Sequence, residues 1–426
     1  MTPEEITRKK YKAKALISLG KLEEYEALYD AAIQLYLQAL HIYQDIQHQE
    51  GIVLAMGNIA NVHQKKGDFK STLRIAKQAL QISNEQNIHT YKGALLFTIG
   101  DSYRMAGDKT KALQTQMQAL QQIRLTGNAK QESASLGNIG LIYKSYGKFD
   151  LAALYYQQAL QISLNLEDRE NEISWLGNLG SLYTTLGDKE QAILYLRRGI
   201  TLSQQTLDKR NECICTGQLG TAYLVFGQID KAKKLILTAA NIAEEIGDKQ
   251  HECIFMGSLG SAFARLQQND KALRCIEKSV ALAFQLEDGM NIGHSSHYLG
   301  RIMLKLNRHS ESIEAFKTSI EYLTSYNEMQ MNMISKSCLA YGFAQQALKT
   351  LAKELLLQIK PALTIHPNTK ILVHCYKAKT LHLLQRPDEA LQELERAKSI
   401  APSAHLSFIS VQNLLAKTTQ TLQNEN

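Results

Sequence analysis

Apolar residues recur at helical spacing along the chain, in blocks that short polar turns separate. The block between Asp168 and Asp208 contains two such runs, which are Ile173, Leu176, Leu179 and Tyr183, followed by Ala192, Tyr195, Ile200 and Leu202. Spacings of three and four residues place each run on one face of a helix. Asp168 and Asp188 suit the N-cap position, and Gly187 can adopt the left-handed conformation that ends a helix. The block therefore predicts a helix-turn-helix hairpin.

This block returns every forty residues. Glycine stands at six positions with this spacing, which are Gly100, Gly140, Gly180, Gly220, Gly260 and Gly300. Candidate N-cap residues repeat with the same period, at Asn128, Asp168, Asp208, Asp248 and Asp288. A fixed period of about 20 to 50 residues is the signature of stacked supersecondary units. The sequence therefore predicts an array of hairpins.

Composition agrees with a helical array. Residues 4 to 360 contain no proline, which favours continuous helices. Thr2, Pro3 and Glu5 predict a capped helix at the start of the chain rather than a signal peptide. We find no apolar stretch of membrane-spanning length, and the six cysteines lack paired spacing, which favours a reducing cytoplasm.

The block around Gly180 resembles the tetratricopeptide repeat in a forty-residue form. That family has a small residue at Gly180, an aromatic at Tyr183, a turn glycine at Gly187 and small residues at Ala192 and Gly199. Near the C-terminus, the usual 34-residue form is matched by Ala378, Leu381, Ala390, Leu394, Ala397 and Pro402. The resemblance implies an all-α, right-handed superhelical solenoid of about ten hairpins over residues 3–404, with the forty-residue period through about residue 330, and a C-terminal capping helix over residues 405–423.

Two glycine positions in the first helix of each hairpin lead to different expectations. We expect Gly180 to face Ala192, so that the two helices of the hairpin approach closely. Gly177 lies three residues earlier, on the side that the family places on the inner, concave wall, and positions 57, 137, 217 and 257 are also glycine. Two interpretations of this second position stay open: tight contact between neighbouring first helices, or a groove floor kept clear for a partner's backbone.

The family's inner face, mapped onto this chain, gives the candidate partner-binding residues. Uncharged polar side chains that can bond a peptide main chain come first, at Asn58, Asn61, Asn138, Asn178 and Ser181. An apolar middle of the groove that includes Leu224 follows, and His297 is a candidate for the groove that the sequence equally allows in the core. Six cations flank this middle, which are Lys65, Arg104, Lys144, Arg265, Arg301 and Lys305, whereas Asp101 is the only acid mapped there from the second to the eighth repeat. We expect a groove that selects a segment with acidic and apolar residues.

Candidate enzymatic motifs lack the context that their chemistry needs. The stretch LGNLGS lies inside a predicted helix with no strand before it, so it does not suit a dinucleotide-binding loop. His294, His297 and Cys253 lack a fourth ligand by spacing, so we expect no metal. The chain is expected to be non-enzymatic and to need no cofactor.

Within the family, the LGN-x-G repeats look most like polarity adaptors of the Pins type, whose groove binds long partner peptides. Peptide-pheromone receptors of the Rap type are similar in architecture but begin with an effector bundle or a DNA-binding module, whereas this chain enters its repeats almost at once. The chaperone-tail clamp of the family needs lysine where Gly57, Gly137 and Gly177 stand, so we do not expect that activity.

We therefore expect a cytoplasmic scaffold or adaptor that holds a protein or peptide partner and does not contact a membrane. Nucleic acid is disfavoured because base stacking needs exposed aromatic residues. The alternative is a sensory or regulatory subunit, in which ligand binding changes the superhelix pitch and so controls an associated enzyme or transcription factor. Self-association through the terminal repeats or the capping helix stays open.

Overall fold

The computed structural model describes residues 1–326, 328–360, 366–401 and 409–423. Over these residues the protein contains 21 α-helices and no strand, so the all-α prediction is confirmed. Contacts between Cα atoms divide the chain into two compact units, residues 1–171 and residues 172–426. The expectation of a single solenoid over residues 3–404 stays a prediction.

Unit 1 contains four helical hairpins. Their helices are α1 (Pro3–Tyr25), α2 (Tyr29–Asp45), α3 (Gln49–Lys65), α4 (Phe69–Glu85), α5 (Lys92–Met105), α6 (Lys109–Thr126), α7 (Ala129–Ser145) and α8 (Phe149–Asn165). Each odd-numbered helix packs against the even-numbered helix that follows it, and α5 also contacts α3 and α7. We call the odd-numbered helices the inner helices, after the position that the family implies for them.

Unit 2 contains six hairpins and a closing helix. Their helices are α9 (Arg169–Leu186), whose first turn precedes the unit boundary, α10 (Lys189–Gln205), α11 (Lys209–Val225), α12 (Ile229–Glu245), α13 (Lys249–Arg265), α14 (Asn269–Gln285), α15 (Gly289–Lys305), α16 (His309–Ser325), α17 (Met329–Gln345), α18 (Lys349–Gln358), α19 (Pro367–Leu383), α20 (Pro387–Ile400) and α21 (Ile409–Gln423). The described residues therefore contain the ten expected hairpins. Helix α21 lies within the predicted capping helix and packs against α19 and α20, while residues 402–408 lie outside the described residues.

The predicted caps and turns are confirmed. Asp208 accepts a hydrogen bond from the backbone N–H of Asn211 at 3.0 Å, and Thr2 and Glu5 form the predicted capping box. Gly187 has a φ of 81°, in the left-handed region that favours glycine. The same conformation occurs at Ala347 in the ninth hairpin, with a φ of 58°. The turn therefore persists where the sequence does not supply glycine.

The close approach at Gly180 is present, but its neighbour differs from the expected one. A Cβ atom at Gly180 would lie 2.4 Å from Cγ of Leu196, so Leu196 rather than Ala192 occupies the space. The same offset of sixteen residues places Tyr36 against Gly20 and Tyr156 against Gly140. Each glycine of this series therefore accommodates a large side chain from the second helix of its own hairpin.

Buried glutamates near the starts of the inner helices form ion pairs that the sequence analysis did not predict. In unit 2, Glu252 is only 1% exposed and lies 2.8 Å from Nζ of both Lys249 and Lys278. Glu172, forty residues before Glu212, is 2% exposed and pairs with Arg198 at 3.0 Å. Because buried charges are tolerated only when they are paired, these contacts hold the two helices of a hairpin in register.

Candidate functional site

Two acidic residues organise the inner helices of unit 1, and the first is Glu24 at the end of α1. Asn61 donates to Glu24 at 3.2 Å, and Nζ of Lys65 lies 2.9 Å from the same carboxylate oxygen. The hydroxyl of Tyr36 donates to the other oxygen at 2.9 Å. The charge of Lys65 is therefore balanced within the fold, and Asn61 already has an acceptor.

The second organising acid is Asp101 on α5. Arg104 approaches Asp101 at 2.6 and 2.7 Å through two guanidinium nitrogens, and Asn138 donates to the same residue at 3.3 Å. Gln64 donates to the second carboxylate oxygen. This network joins α3, α5 and α7 and balances the charge of Arg104, so the guanidinium of Arg104 and the amide nitrogen of Asn138 already have an acceptor within unit 1.

The remaining candidates of unit 1 are Lys144 and Asn58, both half-buried. Burial lowers the pKa of the Lys144 amine to about 8, so it loses its proton more readily than an exposed lysine. Asn58 lines a cleft of about 300 Å³ between α3, α5 and α7. The buried amide nitrogen of Asn58 has no hydrogen-bond partner among the described residues, unlike those of Asn61 and Asn138.

In unit 2, Asn178 and Ser181 of α9 are half-buried, and their contact with a partner stays a prediction. Leu224 is only 6% exposed, so its side chain belongs to the core rather than to a partner-binding surface. Gln218, which the sequence analysis missed, lies beside Gly177, and its buried carbonyl oxygen has no hydrogen-bond partner within the described part of the chain. The forty-residue period could have found it, because Gln218 follows Asn178 by one repeat.

His297, a candidate for the groove, lies in the core instead. Its side chain is only 1% exposed, and its Nδ1 lies 2.8 Å from the hydroxyl of Ser335. Burial, followed by the charge of Arg301, lowers its pKa well below the ordinary value. His297 is therefore a neutral core residue, and the reason is tight packing between α15 and α17. Within the described residues, no three His, Cys, Asp or Glu side chains converge on a point suited to a metal ion.

Among the described residues, the candidate cations Arg265, Arg301 and Lys305 of unit 2 have no carboxylate partner, unlike Lys65 and Arg104 of unit 1. A guanidinium nitrogen of Arg265 donates to the carbonyl of Leu224 at 2.5 Å, and Nζ of Lys305 donates to the carbonyl of Ala264 at 2.6 Å. Each carbonyl belongs to the last turn of the preceding inner helix, where the helix dipole favours positive charge. Both cations remain exposed, as does Arg301.

Two further lysines join these cations, and the sequence analysis did not single them out. Lys379 of α19 lies 5.9 Å from the ring centroid of Tyr341, and Lys417 is exposed on α21. Burial and the nearby charge of Lys417 both lower the pKa of Lys305. We call Arg265, Arg301, Lys305, Lys379 and Lys417 the basic cluster. Within the part of the chain that the structure describes, none of the five forms an ion pair with a carboxylate.

Comparison with known proteins relates part of the chain to a repeat family. Residues 51–124 and 131–205 match the family model described as the tetratricopeptide repeat. These two stretches, which lie between residues 51 and 205, therefore resemble tetratricopeptide repeats. No curated protein sequence matches it significantly. Tetratricopeptide repeats form scaffolds for protein interaction, and no catalytic family is indicated for this chain.

Solved structures support the same fold. A Rap protein complexed with competence and sporulation factor superimposes with a TM-score of 0.55 and 16% identity, over 83% of this chain and 99% of that one. The apo form of RapI gives a TM-score of 0.54 and 15% identity, over 65% and 98% of the two chains. A signal transduction ATPase with a tetratricopeptide-repeat sensor, from Pyrococcus horikoshii, gives 0.53 and 13% over 92% and 55%. At these identities the likeness establishes the fold alone.

The described helices were also compared with the dimensions of a lipid bilayer. None of them combines the length and the apolar character that a membrane crossing requires.

Proposed function

We propose that the protein binds a segment of a partner protein, and that the basic cluster of unit 2 selects acidic residues in that segment. The observation that carries the proposal is the absence of carboxylate partners for these five cations within the described residues. Unit 1 shows the contrast, because Lys65 and Arg104 are each balanced by an internal acid. Charges without internal partners raise the affinity for a segment of opposite charge and speed its association.

Apolar contacts would complement the charges. Ile254 of α13 is 41% exposed, and Val225 at the end of α11 is half-buried. A partner segment with aliphatic side chains between its acidic residues could therefore contact both kinds of surface. The tyrosines Tyr298, Tyr341 and Tyr376 are half-buried, and the rings of Tyr341 and Tyr376 contact each other at 6.0 Å between centroids, so their faces are not open for base stacking, which favours a peptide over a nucleic acid.

Two likenesses support a peptide ligand. One of the structures similar to this chain is a Rap protein in complex with competence and sporulation factor. The LGN-x-G pattern resembles adaptors of the Pins type, which bind partner peptides. The six buried, free thiols suit the reducing cytoplasm that we propose as the location.

The test uses the full chain and a fluorescent peptide, Ac-ELEELE-NH2, against its glutamine analogue Ac-QLQQLQ-NH2. The double variant Lys305→Glu/Lys379→Glu changes the basic cluster, and the matched control Lys189→Glu/Lys353→Glu makes the same change in net charge at exposed lysines of second helices. We expect the acidic peptide to bind at least tenfold more weakly to the cluster variant and within twofold of the unmodified protein to the control. Equal binding of the glutamine analogue, or equal loss in both variants, would contradict the proposal.

The alternative function is that of a sensory or regulatory subunit. Its support is the likeness to an ATPase whose tetratricopeptide repeats form a sensor. In a repeat array each unit contacts only its neighbours, so small rotations can accumulate along the stack. Small-angle X-ray scattering with and without bound peptide distinguishes the two functions: a fall in radius of gyration on binding favours the regulatory subunit, and an unchanged value favours the scaffold.

A further inference from the structure

The cleft in unit 1 has the features of a small binding site. It lies between α3, α5 and α7 and measures about 300 Å³, at the lower end of the range of about 300–1,000 Å³ typical of ligand pockets. Leu54, Leu95 and Phe97 supply apolar walls, and Asn58 and Gln131 supply amides. All the side chains that line it are uncharged. This chemistry suits an uncharged ligand of modest size.

The cleft owes part of its depth to Gly57. A Cβ atom at Gly57 would meet only Cδ2 of Leu95, at 3.4 Å, which is close to ordinary van der Waals contact. At Gly217, the same position in unit 2, a Cβ atom would lie 2.0 Å from Cε1 of Phe255. Packing therefore requires glycine at position 217 but not at position 57. Glycine at position 57 keeps the cleft open.

Asn58 supplies a hydrogen-bond donor that the fold does not use. Its buried Nδ2 has no partner among the described residues, whereas buried polar groups are nearly always paired. Asn61, on the next turn of α3, donates to Glu24, so the two amides have different roles. The χ2 torsion of asparagine is soft, so a rotation can turn the donor toward the cleft without moving the backbone.

We propose that this cleft binds one uncharged aliphatic residue of an extended peptide, with its side chain against Leu54 and Leu95 and its main-chain carbonyl accepting from Asn58. The neutral lining favours an uncharged occupant. The neighbouring acid Glu24 is already balanced by Lys65, so the cleft has no net charge that would attract an ion. The proposal deepens the proposed function and shares with it only the premise that the ligand is a peptide.

The test uses methyl-labelled full-length protein and two blocked amino acids. N-acetyl-leucine N′-methylamide presents an aliphatic side chain between two peptide groups, and N-acetyl-glutamate N′-methylamide presents a charged one. We expect the methyl signals of Val53, Leu54 and Leu95 to shift saturably with the leucine compound, with a dissociation constant on the order of 10 mM, and not with the glutamate compound. No saturable shift, or an equal response to both compounds, would overturn the proposal.

Three variants complete the test. Gly57→Ala narrows the cleft and Asn58→Leu removes the donor, and each should weaken binding of the leucine compound at least fivefold. Asn178→Leu makes the same replacement at the equivalent position of unit 2 and should leave the titration unchanged. Unchanged affinity in Gly57→Ala would refute the role of the cleft. Because the acidic-peptide test depends on unit 2, loss of this inference would leave the proposed function standing, and the reverse also holds.

Discussion

Replacing glycine by alanine at positions 57 and 217 should have opposite effects on local stability, although the two positions are equivalent in the repeat. Glycine in a helix interior is about 1 kcal/mol less favourable than alanine, so both substitutions gain the same stability from helix propensity. At position 57 the new Cβ meets Leu95 at 3.4 Å, and most of this gain should remain. We expect Gly57→Ala to stabilise α3 by about 0.5–1 kcal/mol.

At position 217 the gain is outweighed by overpacking. The new Cβ would lie 2.0 Å from Cε1 and 2.2 Å from Cζ of Phe255, a side chain that is only 3% exposed. To regain a normal carbon contact the ring must move by about 1.5 Å. Forced repacking of this kind typically costs about 1–3 kcal/mol. We expect Gly217→Ala to destabilise α11 by about 1–2 kcal/mol after the helix gain is included.

Hydrogen exchange measured by mass spectrometry is the suitable assay, because an array of repeats does not unfold in one two-state step. Peptides from α3 and α11 report the local opening free energy, and 1 kcal/mol corresponds to about a fivefold change in exchange rate. Exchange should slow in α3 of Gly57→Ala and accelerate in α11 of Gly217→Ala. Equal effects of the two substitutions would refute the distinction between a packing glycine and a cleft glycine.

Three further predictions follow from the contacts. Burial alone would raise the pKa of Glu252, but hydrogen bonds from its two lysines outweigh burial and hold the pKa in the folded protein below 4.5. The ionised carboxylate therefore stabilises the fold above pH 4.5, and this stabilisation is lost as the pH falls through the pKa of the folded state. Glu252→Gln should accordingly lower the thermal midpoint at pH 7 more than at pH 3, as followed by circular dichroism. Burial raises the pKa of Cys215 to about 12, and all six thiols are buried, so a thiol reagent should label the native protein slowly and all six cysteines after unfolding in urea. Asp101→Asn leaves Arg104 without its carboxylate, so the opening free energy of α5 should fall by about 1–2 kcal/mol and hydrogen exchange in α5 should accelerate. Unchanged exchange would show that the pair adds nothing to stability.

The sequence by itself determined the hairpins and their ends. Helical spacing, N-cap aspartates and turn glycines are local signals of a hairpin. Because a fixed period repeats each signal, a feature that is ambiguous in one repeat becomes clear in six. The polar character of Asn58 and Asn178 and the positions of Arg301 and Lys305 on inner helices were also predictable, because the period transfers a position from one repeat to the next.

Only the tertiary structure decided which of these groups has a partner. The sequence assigned Lys65 and Lys305 the same role, yet Lys65 pairs with Glu24, whereas Lys305 donates to a backbone carbonyl and is repelled by the charge of Lys417 in α21. Likewise, Gly57 and Gly217 share one register but differ in the side chain opposite them. The physical reason is that local spacing fixes the face on which a residue lies, whereas charge balance and free space depend on side chains from other helices that pack against that face.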